Sequence, residues 1–216
     1  WYGDHRDLHY PLRRQRQMCI RDRNIPVQRL SESTLGIVGF GRIGRTIASR
    51  VSALGIRSIA YDPLLETGKK VDNVEIVSFE NLLRNSDFVT IHVPLNEHTH
   101  HLFSEKEFNQ MKNNSIIVNC ARGGLIDEKA ASEAISRGQI GGIGLDVIED
   151  TSKTPTSPLF NNQNVIITPH TAFFSKSSNE ELQKRTAQEV VRVINSKQPE
   201  NFINPEVINN SRLKLV

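Results

Sequence analysis

A glycine-rich turn between a predicted strand and a predicted helix constrains this chain more than any other feature. Residues 34–45 read TLGIVGFGRIGR, in which Gly39, Gly41 and Gly44 have the spacing G-x-G-x-x-G. A β-prone run leads into the glycines, a helical pattern follows them, and Asp62 ends the next apolar run, 18 residues after the third glycine. This order is typical of a βαβ unit that binds a dinucleotide through its pyrophosphate at the helix N-terminus.

Each residue of this pattern has a physical task. Gly39 permits the tight turn, Gly41 lets the backbone approach a pyrophosphate, and Gly44 lets helix and strand pack closely. Asp62 accepts hydrogen bonds from the adenosine ribose hydroxyls and repels a 2′-phosphate, which favours NAD over NADP. The alternative is a βαβ unit in which the glycines serve packing alone.

Strand-like and helical patterns alternate from Thr34 onward. The predicted strands are 35–40, 58–61, 88–93, 115–120, 143–147 and 165–168. The predicted helices are 43–54, 79–84, 105–111, 128–136 and 177–195. Ser104 and Asp127 are expected to cap the third and fourth helices. The chain is therefore predicted to be an α/β protein with a doubly wound parallel sheet.

Composition excludes several classes of protein. The apolar runs are only strand-sized, so we predict no membrane span and no secretory segment. The two cysteines, Cys19 and Cys120, do not make a disulfide framework, and we expect a cytoplasmic protein. The net charge of +3 comes from seven Arg among residues 1–30, so the rest of the chain is not expected to bind nucleic acid.

Residues 1–23 do not fit the α/β pattern. They read WYGDHRDLHYPLRRQRQMCIRDR, with no clean period and a cluster of Arg. We interpret this segment as unassigned and foreign to the native protein; the alternative is a native, basic, partly helical arm.

Three later stretches carry chemistry at predicted strand ends, where open α/β sheets bind their ligands. Arg122, in NCARGGLID, is a planar cation suited to a substrate carboxylate. Asp146, in GLDV, is an acceptor for a nicotinamide carboxamide. His170, in ITPHTAFFS, is a proton donor for a carbonyl oxygen near neutral pH. Alternatively, Arg122 is a surface ion-pair partner and His170 is structural. We predict no metal site.

Six stretches together resemble the D-isomer-specific 2-hydroxyacid dehydrogenase family: LGIVGFGRIG, the acid of YDP, VPLNEHTHHL, NCARGGLIDE, GLDV and TPHTA. The resemblance spans about residues 30–207, and LNEHTHHL and PHTAFFS are similar to the branch that contains the C-terminal-binding proteins. It implies a Rossmann domain with strand order 3-2-1-4-5-6 and NAD as cofactor. It also implies interconversion of a small D-2-hydroxy acid and its 2-keto acid, and a homodimer.

By this resemblance, Arg122 orients the substrate and His170 is the general acid and base. The residues implied to line the NAD site are Gly39, Gly41, Arg42, Ile43, Gly44, Asp62, Pro94, Asn96, Cys120 and Asp146. Residues 24–200 would form the NAD-binding domain, and residues 201–216 would return to a substrate domain.

Two departures from the family weaken the expected catalysis. Where the family pattern D-V-x-x-x-E-P has its catalytic Glu and Pro, this chain has Thr151 and Ser152. Threonine cannot supply the charge that raises the pKa of the His, although Asp150 or Glu149 could reach in from neighbouring positions.

The second departure is length, because the family builds its substrate domain mostly from about a hundred residues that precede the nucleotide domain. The chain is therefore expected to be mainly a cofactor domain. The alternative function is a catalytically weakened NAD(H)-binding protein that acts through redox-sensitive assembly.

Overall fold

The computed structural model describes residues 29–150, 156–160, 162–201 and 204. It divides the chain into two compact units, Trp1–Ile167 and Thr168–Val216, which are described separately below. The segment 1–23, Thr151, Ser152 and the tail beyond Asn204 lie outside the described residues, so the predictions made for them stay predictions.

The first unit contains one sheet of eight strands in the order β3-β4-β2-β1-β5-β6-β7-β8. The strands are β1 (Thr34–Val38), β2 (Arg57–Tyr61), β3 (Lys70–Val71), β4 (Val74–Ile76), β5 (Phe88–Ile91), β6 (Ile116–Asn119), β7 (Gly142–Leu145) and β8 (Val165–Ile167). Every neighbouring pair is parallel except β3 with β4. The predicted α/β parallel sheet is therefore confirmed.

The hairpin of β3 and β4 is an addition to the predicted strands. Its turn residues Asp72 and Asn73 have φ of 49° and 64°, and Val71 pairs with Val74. Positive φ at both central residues is the type I′ geometry that suits a two-residue hairpin. With β4 counted as the third parallel strand, the order becomes 3-2-1-4-5-6 with one further strand, β8, at the edge.

In the described part of the first unit, four α-helices connect these strands. They are α1 (Arg42–Ser52), α2 (Phe79–Asn85), α3 (Glu105–Phe108) and α4 (Glu128–Ser136). The Asp127 carboxylate accepts hydrogen bonds from the Lys129 and Ala130 N–H groups at 3.0 Å, which confirms the predicted cap of α4. At α3, the Ser104 N–H and hydroxyl both donate to the Glu107 carboxylate. This helix ends at Phe108, three residues before its predicted end.

The core lies on both faces of the sheet, because successive side chains of a strand point to opposite sides. In β1, Leu35 and Ile37 belong to a cluster that includes Ala48 of α1. Val38 belongs to the larger cluster on the other face, together with residues of α2 and α4. The alternation fixes the register of β1, so the direction in which the glycine turn leaves the sheet is fixed as well.

The second unit contains one long helix, α5 (Lys176–Ile194), which confirms the predicted helix 177–195 to within one residue. Ser175 caps it: its hydroxyl accepts from the Ser178 N–H at 3.0 Å, and the Ser178 hydroxyl accepts from the Ser175 N–H at 2.8 Å. Among the described residues, no helix has the combination of length and apolarity that crossing a membrane requires.

Candidate functional site

The carboxyl ends of five parallel strands bring most of the predicted site residues to one edge of the sheet. The glycine turn follows β1, Asp62 follows β2, and the loop with Pro94 and Asn96 follows β5. Cys120 and Arg122 follow β6, and Asp146 follows β7. Because these strands are parallel, all these loops leave the sheet on the same side.

The three glycines have different steric surroundings. Gly39 has φ of 92°, and a Cβ there would lie 2.7 Å from the His92 carbonyl oxygen. A Cβ on Gly44 would overlap the Gly39 carbonyl, whereas a Cβ on Gly41 would meet nothing within 4 Å. Gly39 and Gly44 are thus required by the fold, while Gly41 leaves open space in front of the turn.

The first turn of α1 faces that open space. Gly41 is the N-cap, and no side chain caps the helix there. Arg42 and Ile43 begin the helix, and Ile43 is 64% exposed. An uncapped helix N-terminus offers N–H groups and a partial positive charge to an anion such as a pyrophosphate.

Asp62 is tied to the glycine turn. Its Oδ2 accepts a hydrogen bond from the Phe40 N–H at 2.9 Å, and its Oδ1 accepts one from the Leu64 N–H at 3.0 Å. The Arg45 guanidinium donates to the Phe40 carbonyl at 3.1 Å, so both backbone polar groups of Phe40 are bonded. A carboxylate has about four acceptor positions, which leaves capacity for ribose hydroxyls.

The loop after β5 is shaped by Asn96. Its Oδ1 accepts from the His98 N–H at 2.9 Å, while the Thr99 hydroxyl donates to the Pro94 carbonyl at 2.7 Å. The Asn96 side chain therefore forms a turn of the Asx type, which holds the loop through its own backbone. Pro94 and Asn96 are both exposed.

Asp146 acts electrostatically on Cys120 across neighbouring strand ends. Cys120 is a free, exposed thiol, and Asp146 is buried with 4% exposure. Partial burial, followed by the negative charge of Asp146, raises the pKa of Cys120. The thiol is therefore protonated at neutral pH and is a poor nucleophile, which suits a residue that contacts a cofactor rather than one that reacts.

Arg122 is exposed, and its backbone is held by a buried neighbour. The Asn119 side chain, which is fully buried, donates to the Arg122 carbonyl at 2.8 Å and accepts from the Ala121 N–H at 2.9 Å. The Arg122 guanidinium donates to the Ala121 carbonyl at 2.6 Å. Asn119 therefore positions the loop that carries the cation, a role that the sequence interpretation missed although Asn119 stands in the quoted motif.

His92 is a second residue that the sequence interpretation missed. It directly follows β5, and its Nε2 lies 2.8 Å from the Thr90 hydroxyl. Burial lowers the pKa of His92, so the ring stays neutral in the folded protein near neutral pH. Its carbonyl is the group against which Gly39 packs.

His170 belongs to the second unit. It is exposed and has φ of 54°, its N–H donates to the Thr168 carbonyl at 3.0 Å, and its ring meets Phe173 edge-on at 6.1 Å between centroids. Thr151 lies outside the described residues. Glu149, considered as a substitute for the missing Glu, has its carboxylate within 3.2 Å of His100 and His101 in the first unit.

Comparison with known proteins decides the family. The family described as "D-isomer specific 2-hydroxyacid dehydrogenase, NAD binding domain" matches residues 3–172, more than half of the chain. This chain belongs to that family. Because this family is described as an NAD-binding domain, the predicted cofactor is confirmed.

Two curated relatives of this dehydrogenase domain are glyoxylate reductases. The one from Korarchaeum cryptofilum is 40% identical over 81% of this chain and 53% of its own length. The one from Thermococcus litoralis is 36% identical over 84% of this chain and 55% of its own length. The chain thus spans about half the length of these relatives.

Solved structures of the dehydrogenase family share the fold. A glyoxylate reductase from Paecilomyes thermophila is 31% identical with a TM-score of 0.77, over 92% of this chain and 60% of that chain. A D-lactate dehydrogenase from Aquifex aeolicus, complexed with NAD and lactic acid, is 31% identical with a TM-score of 0.73, over 85% and 61%.

Proposed function

We propose that the protein is an NAD-dependent oxidoreductase that interconverts a small D-2-hydroxy acid and its 2-keto acid. The observation that carries this proposal is the position of Arg122. Its exposed side chain follows β6, at the sheet edge where the glycine turn and Asp62 follow β1 and β2. A cation suited to a carboxylate therefore lies at the same edge of the sheet as the residues proposed to bind the cofactor.

Arg122 and His170 are proposed to have separate roles in the reaction. When bound, NAD supplies the group that accepts or donates the hydride. Arg122 binds the substrate carboxylate through its planar fork, which fixes the orientation of the reacting carbon. His170 donates a proton to the carbonyl oxygen during reduction and removes it during oxidation. The joint action of Arg122 and His170 rests on the family resemblance, and the absence of a Glu at position 151 is expected to slow the proton transfer.

The finer features of the function belong to the same proposal. Glyoxylate and related small 2-keto acids are proposed as substrates because two relatives are named glyoxylate reductases. A homodimer in the cytoplasm is proposed from the family resemblance and the cysteine content. The relatives named above are reductases and a dehydrogenase, which gives no support to the alternative of a redox-sensitive assembly protein. The similarity to the C-terminal-binding-protein branch stays a prediction.

Steady-state oxidation of NADH by the full-length protein, with glyoxylate and hydroxypyruvate, tests the proposal. We expect turnover well above background, with its loss in His170→Ala. In Thr151→Glu we expect a rate increase of about tenfold to a few hundredfold, because a carboxylate beside the His stabilises its charged form by about 1–3 kcal/mol.

A separate measurement of NADH binding distinguishes a variant that has lost only substrate turnover from one that no longer folds or binds the cofactor. Arg122→Gln is the matched variant for substrate binding, and we expect it to raise KM without changing the affinity for NADH. Tight NADH binding without turnover on any small 2-keto acid would exclude the dehydrogenase activity. Full activity in His170→Ala would show that another group moves the proton.

A further inference from the structure

Two adjacent histidines and a glutamate converge at the surface of the first unit. The Nε2 atoms of His100 and His101 lie 3.2 Å and 3.1 Å from carboxylate oxygens of Glu149, and the two rings stack with 3.9 Å between centroids. One ligand atom from each residue lies within 4.8 Å of the other two. We propose that this His–His–Glu cluster (His100, His101 and Glu149) binds a divalent transition-metal ion, with zinc as the best fit.

The backbone of His101 makes the convergence possible. Successive side chains of an extended segment point to opposite sides, which would separate the two rings. His101 instead has φ of 50°, a left-handed conformation that is uncommon for a residue with a Cβ. This conformation brings both rings to the same side. Backbone strain of this kind persists only where the surroundings hold it.

Two hydrogen bonds to one other segment hold the strained loop. The His101 N–H donates to the Gly124 carbonyl at 2.8 Å, and the Phe103 N–H donates to the Leu125 carbonyl at 3.0 Å. The loop after β5 is therefore fixed along the loop after β6. The backbone that carries the two imidazoles is consequently positioned before any ligand arrives.

The glutamate is positioned from the opposite side. Its N–H donates at 2.8 Å to the carboxylate of Glu128, a residue that is only 8% exposed. Gly123 packs so closely on the backbone of Ile148 and Glu149 that a Cβ there would overlap it. The backbone of the third ligand is thus fixed by Glu128 of α4 and by Gly123.

The chemistry of the three ligands indicates the metal. Neutral imidazole with one carboxylate suits zinc and its neighbours among the transition metals, and two His with one Glu is a known three-ligand zinc set that leaves a position open. In a tetrahedral site with bonds of about 2.0–2.1 Å, neighbouring ligand atoms are about 3.3 Å apart. The contacts of 3.1–3.2 Å between the imidazole nitrogens and the carboxylate are close to this separation.

The exposure of the cluster gives an ion access. The side chains of His100, His101 and Glu149 are 51%, 35% and 42% exposed. A bound ion would connect the loops that follow β5 and β7, on either side of the loop that carries Arg122. This inference does not rest on the proposed dehydrogenase activity, because every ligand and contact belongs to the described part of the first unit.

Calorimetric titration of the full chain with Zn²⁺ tests the site, using His101→Ala and Glu149→Gln against His98→Ala. His98 is the matched control because it is an exposed histidine on the same loop outside the cluster. We expect one ion per chain in the wild type and in His98→Ala. We expect binding to weaken by more than about 100-fold in the other two variants, since loss even of a supporting group costs 10- to 100-fold.

Thermal unfolding with and without Zn²⁺ is the second measurement. Each variant is first checked for an unchanged unfolding midpoint without metal, and Zn²⁺ is expected to raise the midpoint only where the cluster is intact. Unchanged zinc binding in His101→Ala or in Glu149→Gln would place the ion elsewhere on the chain and overturn the proposal. Absence of binding at millimolar Zn²⁺ in the wild type would overturn it as well.

Discussion

At the scale of single residues, Asp62 and Arg45 decide the shape of the cofactor turn. The Asp62 carboxylate accepts the Phe40 N–H, and the Arg45 guanidinium donates to the Phe40 carbonyl. Arg45 also forms an ion pair with Asp72 at 2.8 Å, which connects the turn to the β3–β4 hairpin. A residue between two glycines would otherwise have many conformations, so these bonds lower the entropy that binding must remove.

Replacement of Asp62 by Ser is expected to weaken NADH binding by about 10- to 100-fold, because a charged hydrogen bond contributes about 1.5–3 kcal/mol. Affinity for NADPH should fall less or rise, since the repulsion of the 2′-phosphate is removed. Equilibrium titrations with both cofactors measure this. Asp62→Asn is the matched control, because it keeps an acceptor for the Phe40 N–H and loses only the charge. An unchanged ratio of the two affinities in Asp62→Ser would show that this residue does not select the cofactor.

The raised pKa of Cys120 yields a second prediction. Asp146→Asn removes the negative charge that disfavours the thiolate, so the pKa of Cys120 should fall toward its ordinary value. Alkylation of the Cys120 thiol at pH 8 should become faster. Mass spectrometry of the peptide that contains Cys120 measures the rate. Asp72→Asn removes an equal charge at a distant surface and should leave the rate unchanged. Equal rates in wild type and Asp146→Asn would show that the charge of Asp146 does not raise the pKa of Cys120.

At the scale of elements, the junction of β1 and α1 combines two kinds of glycine. Gly44 lies where the helix crosses the turn, and its hydrogen is all that fits against the Gly39 carbonyl. Gly41 has an ordinary φ of −80° and open space around it. Gly44 is therefore required by the fold, whereas we propose that Gly41 is required only for binding of the cofactor.

Replacing Gly44 and Gly41 in two separate variants tests this difference. Gly44→Ala should destabilise the first unit by about 1–3 kcal/mol, the usual cost of overpacking. Gly41→Ser should leave the unfolding midpoint nearly unchanged, because Ser is accepted at a helix N-cap, yet it should weaken NADH binding by filling the space for the pyrophosphate. Urea unfolding and NADH titration of both variants are the measurements. A large loss of stability in Gly41→Ser would contradict the assignment.

The sequence predicted the long elements well, because their apolar periods are strong. Predicted helix 128–136 has the observed ends, and the six predicted strands all occur with ends shifted by at most two residues. The hairpin of β3 and β4 was missed because strands of two and three residues show no period. Asp72 and Asn73 between two valines were the available signal, since both residue types accept positive φ.

The candidate site was predictable only in part. Strand ends can be read from apolar runs, so the placement of Asp62, Arg122 and Asp146 at one edge of a parallel sheet followed from the pattern. The convergence of His101 on Glu149, 48 residues away, depends on one left-handed backbone conformation. The support of Arg122 by the buried Asn119 likewise depends on side-chain geometry. Neither contact can be predicted from the spacing of residues in the sequence.

At the scale of the whole molecule, stability is coupled to pH through His92. Burial lowers the pKa of His92 in the folded protein, so the unfolded chain binds a proton at a higher pH than the folded one. Between the ordinary value of about 6.5 and the lower folded value, the unfolded state carries more protons, and stability falls as the pH falls. Above this interval His92 is neutral in both states, so its protonation does not reduce the stability.

Urea unfolding from pH 8 to pH 5 measures this dependence. The free energy of unfolding of the wild type should decrease below about pH 6.5, and His92→Gln should remove part of that decrease. His98→Gln is the control, because that histidine is exposed. If the pH profiles of wild type and His92→Gln are parallel, His92 is not the group that links stability to protons.

The bond between Asp62 and the Phe40 N–H has a consequence for redesign. Cofactor preference in such a domain is usually treated as a local property that one substitution can reverse. Here the same carboxylate that is proposed to bind the ribose also closes the turn that is proposed to bind the phosphates. A redesigned protein that accepts NADP would therefore need a residue at position 62 that removes the negative charge and still accepts a hydrogen bond from this N–H. Selection for a new cofactor would have few side chains to choose from, because both requirements fall on one residue.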